Sequence, residues 1–486
     1  MAGGSITRRE AVALATAGGT ALLAGCSSPT TTSAGSESAA AETASLEVDA
    51  SGVWMVVKGY EWGPGVSELV VELPFEVSAV EGSVTVATAG TSRDVTELFP
   101  CDEAGEKTDG PSSRLGIQME TTNAVSGSPF TYDMSTLHNL WTSEYRFVIR
   151  SSELMLDGTP YALTVTGDCA GQRICPDTEA FAKRWEVGPE DGDADGLTLQ
   201  MAAFEPEDLA GAGDGSVPLV IWLHGQGEGG TDVDIALLGN EVCALAREEI
   251  QGHFSCADGA AGAYVLVPQC PTYWMDEGDG TNGAGDGISR YTNLLMQAIQ
   301  AYVDDTPCID KSRVYLGGCS NGGYMTMNMA IEYPGYFAAL YPMCEAYSYL
   351  VQDGDAKGER WLTDEKVALL VDMPLWMACS IDDTVVDPGA YSLPSYQALA
   401  QKGADNAWLS VFESVRGSDD PSASYLGHWV WVYLLNDQVA GAQDAAAVAS
   451  AEPEGTYGTT PTNDGGGAEL PQGFGNLFDW LNAQVL

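Results

Sequence analysis

Positive charge is scarce in this 486-residue chain: 20 Lys and Arg stand against 69 Asp and Glu, for a formal net charge of −49, and there are only four histidines. Such a surface repels phosphate backbones and anionic headgroups, which excludes nucleic-acid binding and charge-driven attachment to membranes. Long apolar runs are missing too, since nothing beyond Leu23 is long enough to span a bilayer. No C-x-x-C pair and no Cys/His cluster has metal-ligand spacing, so no metal site is expected. What the chain does have is 45% hydrophobic and 9% aromatic residues, enough for real cores over two or three domains. Its acidity reads as a soluble, self-repelling surface.

The first residues read as an export signal over 1–25: Thr7-Arg8-Arg9, the apolar run 11–23, then small residues up to Cys26. Leu23-Ala24-Gly25-Cys26 resembles a bacterial lipobox, in which the cysteine is lipidated and becomes the new N-terminus. The twin arginines resemble a Tat signal, although Ala11 stands where that pattern prefers an aromatic residue. The expected location is therefore outside the cytoplasmic membrane, anchored by lipidated Cys26 alone. Residues 26–45, rich in Ser, Thr, Ala and Gly, read as a flexible tether. Setting Cys26 aside leaves ten cysteines, an even number that permits disulfides in an oxidising compartment. Cys169 with Cys175 and Cys243 with Cys256 are the local candidates.

Two regions follow. Within 46–190, short alternating or β-branched runs at 53–57, 68–73, 82–87, 146–149 and 161–165 predict an all-β sandwich. Within 191–486, apolar runs alternate with helical patterns, which predicts an α/β architecture: a mostly parallel sheet flanked by helices. Strands are expected at 219–223, 264–267, 313–317, 338–341, 375–378 and 408–412, with a helix over 288–303. The boundary falls in 190–196. There Asp191-Gly192-Asp193-Ala194-Asp195-Gly196 imitates a calcium loop, but the closing carboxylate would fall at Ala202, so an acidic linker is the better reading.

Gly318-Cys319-Ser320-Asn321-Gly322 joins an expected strand to a helix-like stretch, the setting in which a serine hydroxyl is exposed at a sharp turn. A bare G-x-S-x-G is weak evidence among 57 glycines, so its partners decide. Serine needs a base within reach and a carboxylate to orient that base. Of the four histidines, His138 and His253 read as surface or satisfied residues and His224 as a shaper of the glycine-rich loop after its strand. That leaves His428, which follows the last strand, as the base. In Ser380-Ile381-Asp382-Asp383-Thr384-Val385-Val386-Asp387-Pro388, spacing favours Asp383 as the acid, with Asp382 in reserve. The oxyanion donors are expected to be the amides of Asn321, just after the serine, and of Gln226, in His224-Gly225-Gln226-Gly227-Glu228-Gly229-Gly230. Trp274 is a candidate wall of a substrate pocket. The acidic, glycine-rich segment 276–287 reads either as a flap or as an ordinary loop.

With these residues assembled, the region from Leu197 onward resembles the α/β-hydrolase superfamily, and within it the polyhydroxybutyrate-depolymerase-like esterases and their prolyl-oligopeptidase-like relatives. Ile309-Asp310…Arg313-Val314-Tyr315 leading into the elbow is similar to that group, with Asp310 and Arg313 a structural pair. Trp54, Tyr60-Glu61-Trp62-Gly63-Pro64 and 66–73 resemble the immunoglobulin-like N-terminal domain attached to some bacterial esterases. Cys319 is expected to be a buried thiol or half of a disulfide. The resemblance implies a serine carboxylesterase without cofactor or metal, acting on a small-molecule or carbohydrate-linked ester. A serine peptidase and a non-catalytic surface-binding lipoprotein on the same fold are the alternatives. Whether the β-rich domain orients the enzyme, covers its mouth or pairs copies into a homo-oligomer is left open by the sequence.

Overall fold

The computed structural model describes residues 43–125, 127–188, 196–351, 356–418, 422–470 and 473–486. The export signal, Cys26, the tether up to residue 42 and most of the acidic segment 190–196 lie outside the described residues.

The larger sheet has eight strands in the order Lys183–Val187, Leu199–Phe204, Tyr264–Gln269, Val217–Leu223, Ile309–Cys319, Ala339–Met343, Leu375–Ser380 and Ala407–Phe412. The first two join antiparallel, and the last six run parallel. Parallel strands are covered on both faces, and Val217–Leu223 accordingly reads as an unbroken apolar run with every residue buried. Its side chains still alternate: Leu219, Ile221 and Leu223 enter one core, while Val220 and Trp222 enter the other. The helix Thr292–Asp305 packs Leu295, Ile299 and Tyr302 onto the first face, and Leu477–Asn482 packs Phe478 and Trp480 onto the second.

All six strands expected in this region are present. The boundary is different, because Lys183–Val187 already pairs with Leu199–Phe204 in the large sheet, so the second region begins before Lys183 rather than at 191. This charged edge strand, Lys-Arg-Trp-Glu-Val, has only one covered flank and so lacks the apolar signature of its neighbours.

The N-terminal region is a sandwich. One sheet is ordered Arg173–Ile174, Val53–Tyr60, Gly63–Val77, Ser112–Met119 and Val95–Pro100; the other contains Ala44–Leu46, Thr159–Asp168, Arg146–Leu156, Thr85–Thr88 and Thr91–Arg93. Met55, Leu69 and Ile117 from the first face Ile149, Leu163 and Val165 from the second in one core. Leu238, from the helix Val233–Gly239 of the second region, completes that core, so the two regions share packing.

The ten described cysteines are free thiols. The expected pair Cys243 and Cys256 is divided by the sheet, since the two belong to cores on opposite faces. Cys169 instead points its thiol at the Tyr145 carbonyl, 3.6 Å away, and Cys175 is not joined to it.

Of the two readings open for His253, the structure shows the satisfied one. Its Nδ1 meets Asp479 and its Nε2 meets Asp437, each at 2.8 Å, which ties the C-terminal helix to the rest of the domain. Burial pulls its pKa down, but the two carboxylates outweigh that and raise it above the ordinary histidine value of 6.5. A histidine whose folded pKa is raised contributes stability below its unfolded pKa and loses that contribution as pH rises through the folded value. The melting-temperature advantage of the wild type over His253→Gln is therefore expected to be largest below the ordinary histidine pKa and to shrink as pH rises above it, as measured by calorimetry.

Candidate active site

Ser320 sits between the strand Ile309–Cys319 and the helix Asn321–Glu332 with φ 56° and ψ −114°. A positive φ at a non-glycine residue costs on the order of 1–3 kcal/mol and persists only where its surroundings enforce it. Here the Ser320 amide donates to the Met343 carbonyl at 2.9 Å. On the far side, the helix start lies so close to the neighbouring strand that a Cβ on Gly322 would stand 2.0 Å from the Leu223 carbonyl oxygen. The elbow is wedged between its two flanking strands.

His428 and Ser320 line one cavity of about 490 Å³, together with Gly225, Gln226, Gly227 and Glu228. His428 Nδ1 bonds Asp383 Oδ2 at 2.7 Å. Asp383 Oδ1 accepts from the amides of Val385 and Val386 at 2.8 and 3.0 Å, so the buried carboxylate is satisfied on both oxygens. Asp382, the reserve candidate, instead accepts from the Ser380 hydroxyl at 2.6 Å. With Nδ1 engaged, Nε2 is the other nitrogen of a ring that lines the same cavity as Ser320.

The loop after Val217–Leu223 is shaped by His224, which is fully buried. Its Nδ1 lies 2.6 Å from the Gly225 carbonyl and its Nε2 accepts from the Cys270 amide at 3.1 Å. Burial lowers its pKa to about 4, so the ring is neutral at ordinary pH and serves the loop as one donor and one acceptor. Gln226 starts the short turn Gln226–Glu228 on the cavity wall, and Asn321 begins the elbow helix, where main-chain N–H groups have no intrahelical partner.

Several residues at the site were not singled out in the sequence. Asn282 donates to Gln226 Oε1 and accepts from Asn321 Nδ2, both at 2.7 Å, so segment 276–287 links the side chains of the two expected oxyanion residues. That segment is anchored by fully buried Asp276, which accepts from the Gly278 and Gly280 amides at 2.7 and 3.0 Å. The N-terminal region also reaches the cavity, through Glu61 and Trp62 of the sandwich and through Phe130, Tyr132 and Asn139 of a separate two-stranded hairpin packed on it. Glu61 accepts from the Tyr425 hydroxyl at 2.7 Å and from Asn436 Nδ2 at 3.0 Å, on either side of His428 in sequence. Glu61 and Trp62 entered the sequence reading only through a resemblance, and Phe130, Tyr132 and Asn139 carried no signal there.

Trp274 is not part of the wall. It is fully buried, packed against His224 at 5.0 Å and edge-on to Tyr291 at 6.0 Å, and the aromatic surface of the cavity comes from Trp62, Phe130, Tyr132, Trp429 and Trp431 instead. Cys319 is a buried thiol that accepts from Asn240 Nδ2 at 3.2 Å, and burial pushes its pKa far above the thiol range, which removes it as a nucleophile.

This sheet order, with the serine elbow after the fifth strand in sequence and acid and histidine after later ones, is the α/β-hydrolase fold. A solved thermostable esterase matches with a TM-score of 0.60 and 21% identity over 80% of this chain and 96% of that chain. Poly(3-hydroxyalkanoate) depolymerase C of Paucimonas lemoignei is 38% identical over 156 residues, which are 30% of this chain and 31% of that protein. The match thus spans about a third of the curated relative's length. A ferulic acid esterase overlaps with a TM-score of only 0.36 at 16% identity, over 52% of this chain and 95% of that one, too loosely to carry an argument. No family model matches the chain.

The strain at Ser320 gives a stability prediction separate from activity. Ser320→Gly is expected to melt higher than Ser320→Ala by the equivalent of about 1 kcal/mol, because glycine adopts φ near 56° without a Cβ clash and alanine does not. Thermal unfolding of the two variants side by side reads this directly.

Proposed function

We propose that the protein is a serine carboxylic-ester hydrolase working through an acyl-serine intermediate. His428 takes the hydroxyl proton of Ser320 as the oxygen attacks the ester carbonyl, and Asp383 stabilises the imidazolium that forms. The carbonyl electrons move onto oxygen, where the amides of Gln226 and Asn321 hold the oxyanion, each worth about 3–4 kcal/mol in the transition state. Collapse expels the alcohol, which takes the proton from His428. Water, activated by the same imidazole, then releases the acid. Carbonyl addition and proton transfer of this kind need no cofactor.

The observation that carries this reading is the 2.7 Å contact of His428 with Asp383 beside a cavity shared with Ser320. The partial likeness to a poly(3-hydroxyalkanoate) depolymerase supports an ester over an amide as the bond cleaved. An uncharged small-molecule or carbohydrate-linked ester suits a cavity walled by Trp62, Phe130 and Trp429. We extend the proposal to the N-terminus: export, lipidation at Cys26, and a sandwich of immunoglobulin-like type carried with the enzyme at the cell surface.

Two measurements test the proposal. A fluorophosphonate probe is expected to label the wild-type protein and not Ser320→Ala; equal labelling removes Ser320 as nucleophile. Turnover of short p-nitrophenyl esters is expected to exceed that of alanyl or prolyl anilides by at least about tenfold, and the reverse order makes the protein a peptidase.

A further inference from the structure

One buried acid at the site has no part in this chemistry. Glu228 lies two residues beyond Gln226 in the same turn, and its main-chain amide closes that turn onto the Gly225 carbonyl at 3.4 Å. Its Oε1 accepts from Asn139 Nδ2 at 3.1 Å and its Oε2 from Asn240 Nδ2 at 3.1 Å. Asn139 lies in a separate two-stranded hairpin, Phe130–Asp133 with His138–Trp141, whose Phe130 and Trp141 pack against the sandwich core. The Asn240 amide nitrogen also lies 3.2 Å from Cys319 Sγ, beside the elbow serine. One carboxylate thus joins the sandwich, the turn carrying Gln226 and the residue preceding Ser320.

The fit around this junction is built to close tolerance. A Cβ on Gly239 would stand 2.6 Å from Glu228 Cγ, and one on Gly229 would stand 2.8 Å from His138 Nε2 and 2.1 Å from the Thr272 carbonyl. Glycines of the loop and of the following helix therefore make room for Glu228 and for the hairpin. The hairpin is fastened on both sides of Asn139: His138 Nε2 lies 3.1 Å from the Thr272 carbonyl, and Trp141 Nε1 donates to Asp232 at 2.8 Å. Burial pushes the Glu228 pKa up to about 7, and the amides of Asn240 and Asn139, which donate to its two oxygens, oppose that shift and hold the side chain where it is.

We infer that Glu228 and Asn139 are positioning residues for the oxyanion donor at Gln226, and that the hairpin Phe130–Trp141 makes the sandwich a working part of the active site. The inference rests on the oxyanion role proposed above. It predicts a change in transition-state stabilisation with little change in ground-state binding, because a turn shifted by a fraction of an ångström misdirects an N–H that matters only once charge develops on the substrate oxygen.

The test uses full-length protein, p-nitrophenyl acetate, and an aryl trifluoromethyl ketone whose serine adduct carries the same oxyanion. Asn139→Ala and Glu228→Ala are each expected to lower kcat about tenfold or more with KM within about twofold, and to weaken the ketone by a matching factor. The double variant is expected to be no worse than Glu228→Ala alone, since both remove one junction. Glu228→Gln, able to bond both asparagines if Asn139 turns its amide over, is expected to recover most of the loss. Unchanged kcat in folded Asn139→Ala overturns the inference, as do multiplicative losses in the double variant. Should Glu228→Ala fail to fold, Asn139→Ala on the half-buried hairpin carries the test by itself. Failure of the hydrolase reading is a separate result, namely turnover that survives Ser320→Ala.

Discussion

A single buried carboxylate sets the terms for the rest of the site. Asp383 has one oxygen on two main-chain amides and the other on His428 Nδ1 at 2.7 Å, so its charge is satisfied inside the protein and its direction is fixed. An imidazole held this way has one free nitrogen and one accessible tautomer. In the proposed reaction the strained serine and the turn at Gln226 take their roles relative to that nitrogen. The fold supplies the placement: Asp383 and His428 follow later strands of a parallel sheet, and Ser320 follows the strand Ile309–Cys319 between them and the glycine-rich loop. Ligands collect at the carboxyl ends of such strands because the loops there converge while the helices cover the faces.

The sandwich is joined to this arrangement at three kinds of contact. Leu238 of the α/β region completes the sandwich core, Glu61 grips the segments flanking His428, and Asn139 reaches the turn that bears Gln226. An apolar anchor together with two buried carboxylates is more than a linker between independent domains needs. Chain segments distant in sequence are thereby held against the loops where a reaction at Ser320 would take place.

Much of the sheet could be read from the sequence because a strand covered on both faces is apolar throughout, and runs such as Val-Pro-Leu-Val-Ile-Trp-Leu carry that mark locally. The elbow was legible for a related reason: the demand for glycine at 322 and for a turn at 320 lies within five residues. Asp383 was separable from Asp382 by spacing, and the structure gives the two different partners. Other features had no local mark. The edge strand Lys183–Val187 is charged and lies next to an acidic segment, so it resembled the end of the first region. Trp274 stands near a strand end, as a pocket residue would, yet which way a side chain faces there depends on the core beneath it, where Tyr291 and His224 receive it. Glu228, Asn139 and Glu61 act across the contact between the two regions, and nothing in a single sequence records which acidic residue of 69 meets a partner from far away.

The account stands on Asp383 acting through His428, and exchange of a single oxygen for nitrogen examines it. Asp383→Asn keeps the shape of the side chain but presents a donor where the imidazole needs an acceptor, so kcat for a p-nitrophenyl ester is predicted to fall by roughly 10⁴-fold with the melting temperature little changed. Asp382→Asn, measured alongside, is predicted to stay within about tenfold of the wild type. Loss confined to Asp382→Asn, or full turnover in Asp383→Asn, would contradict the account.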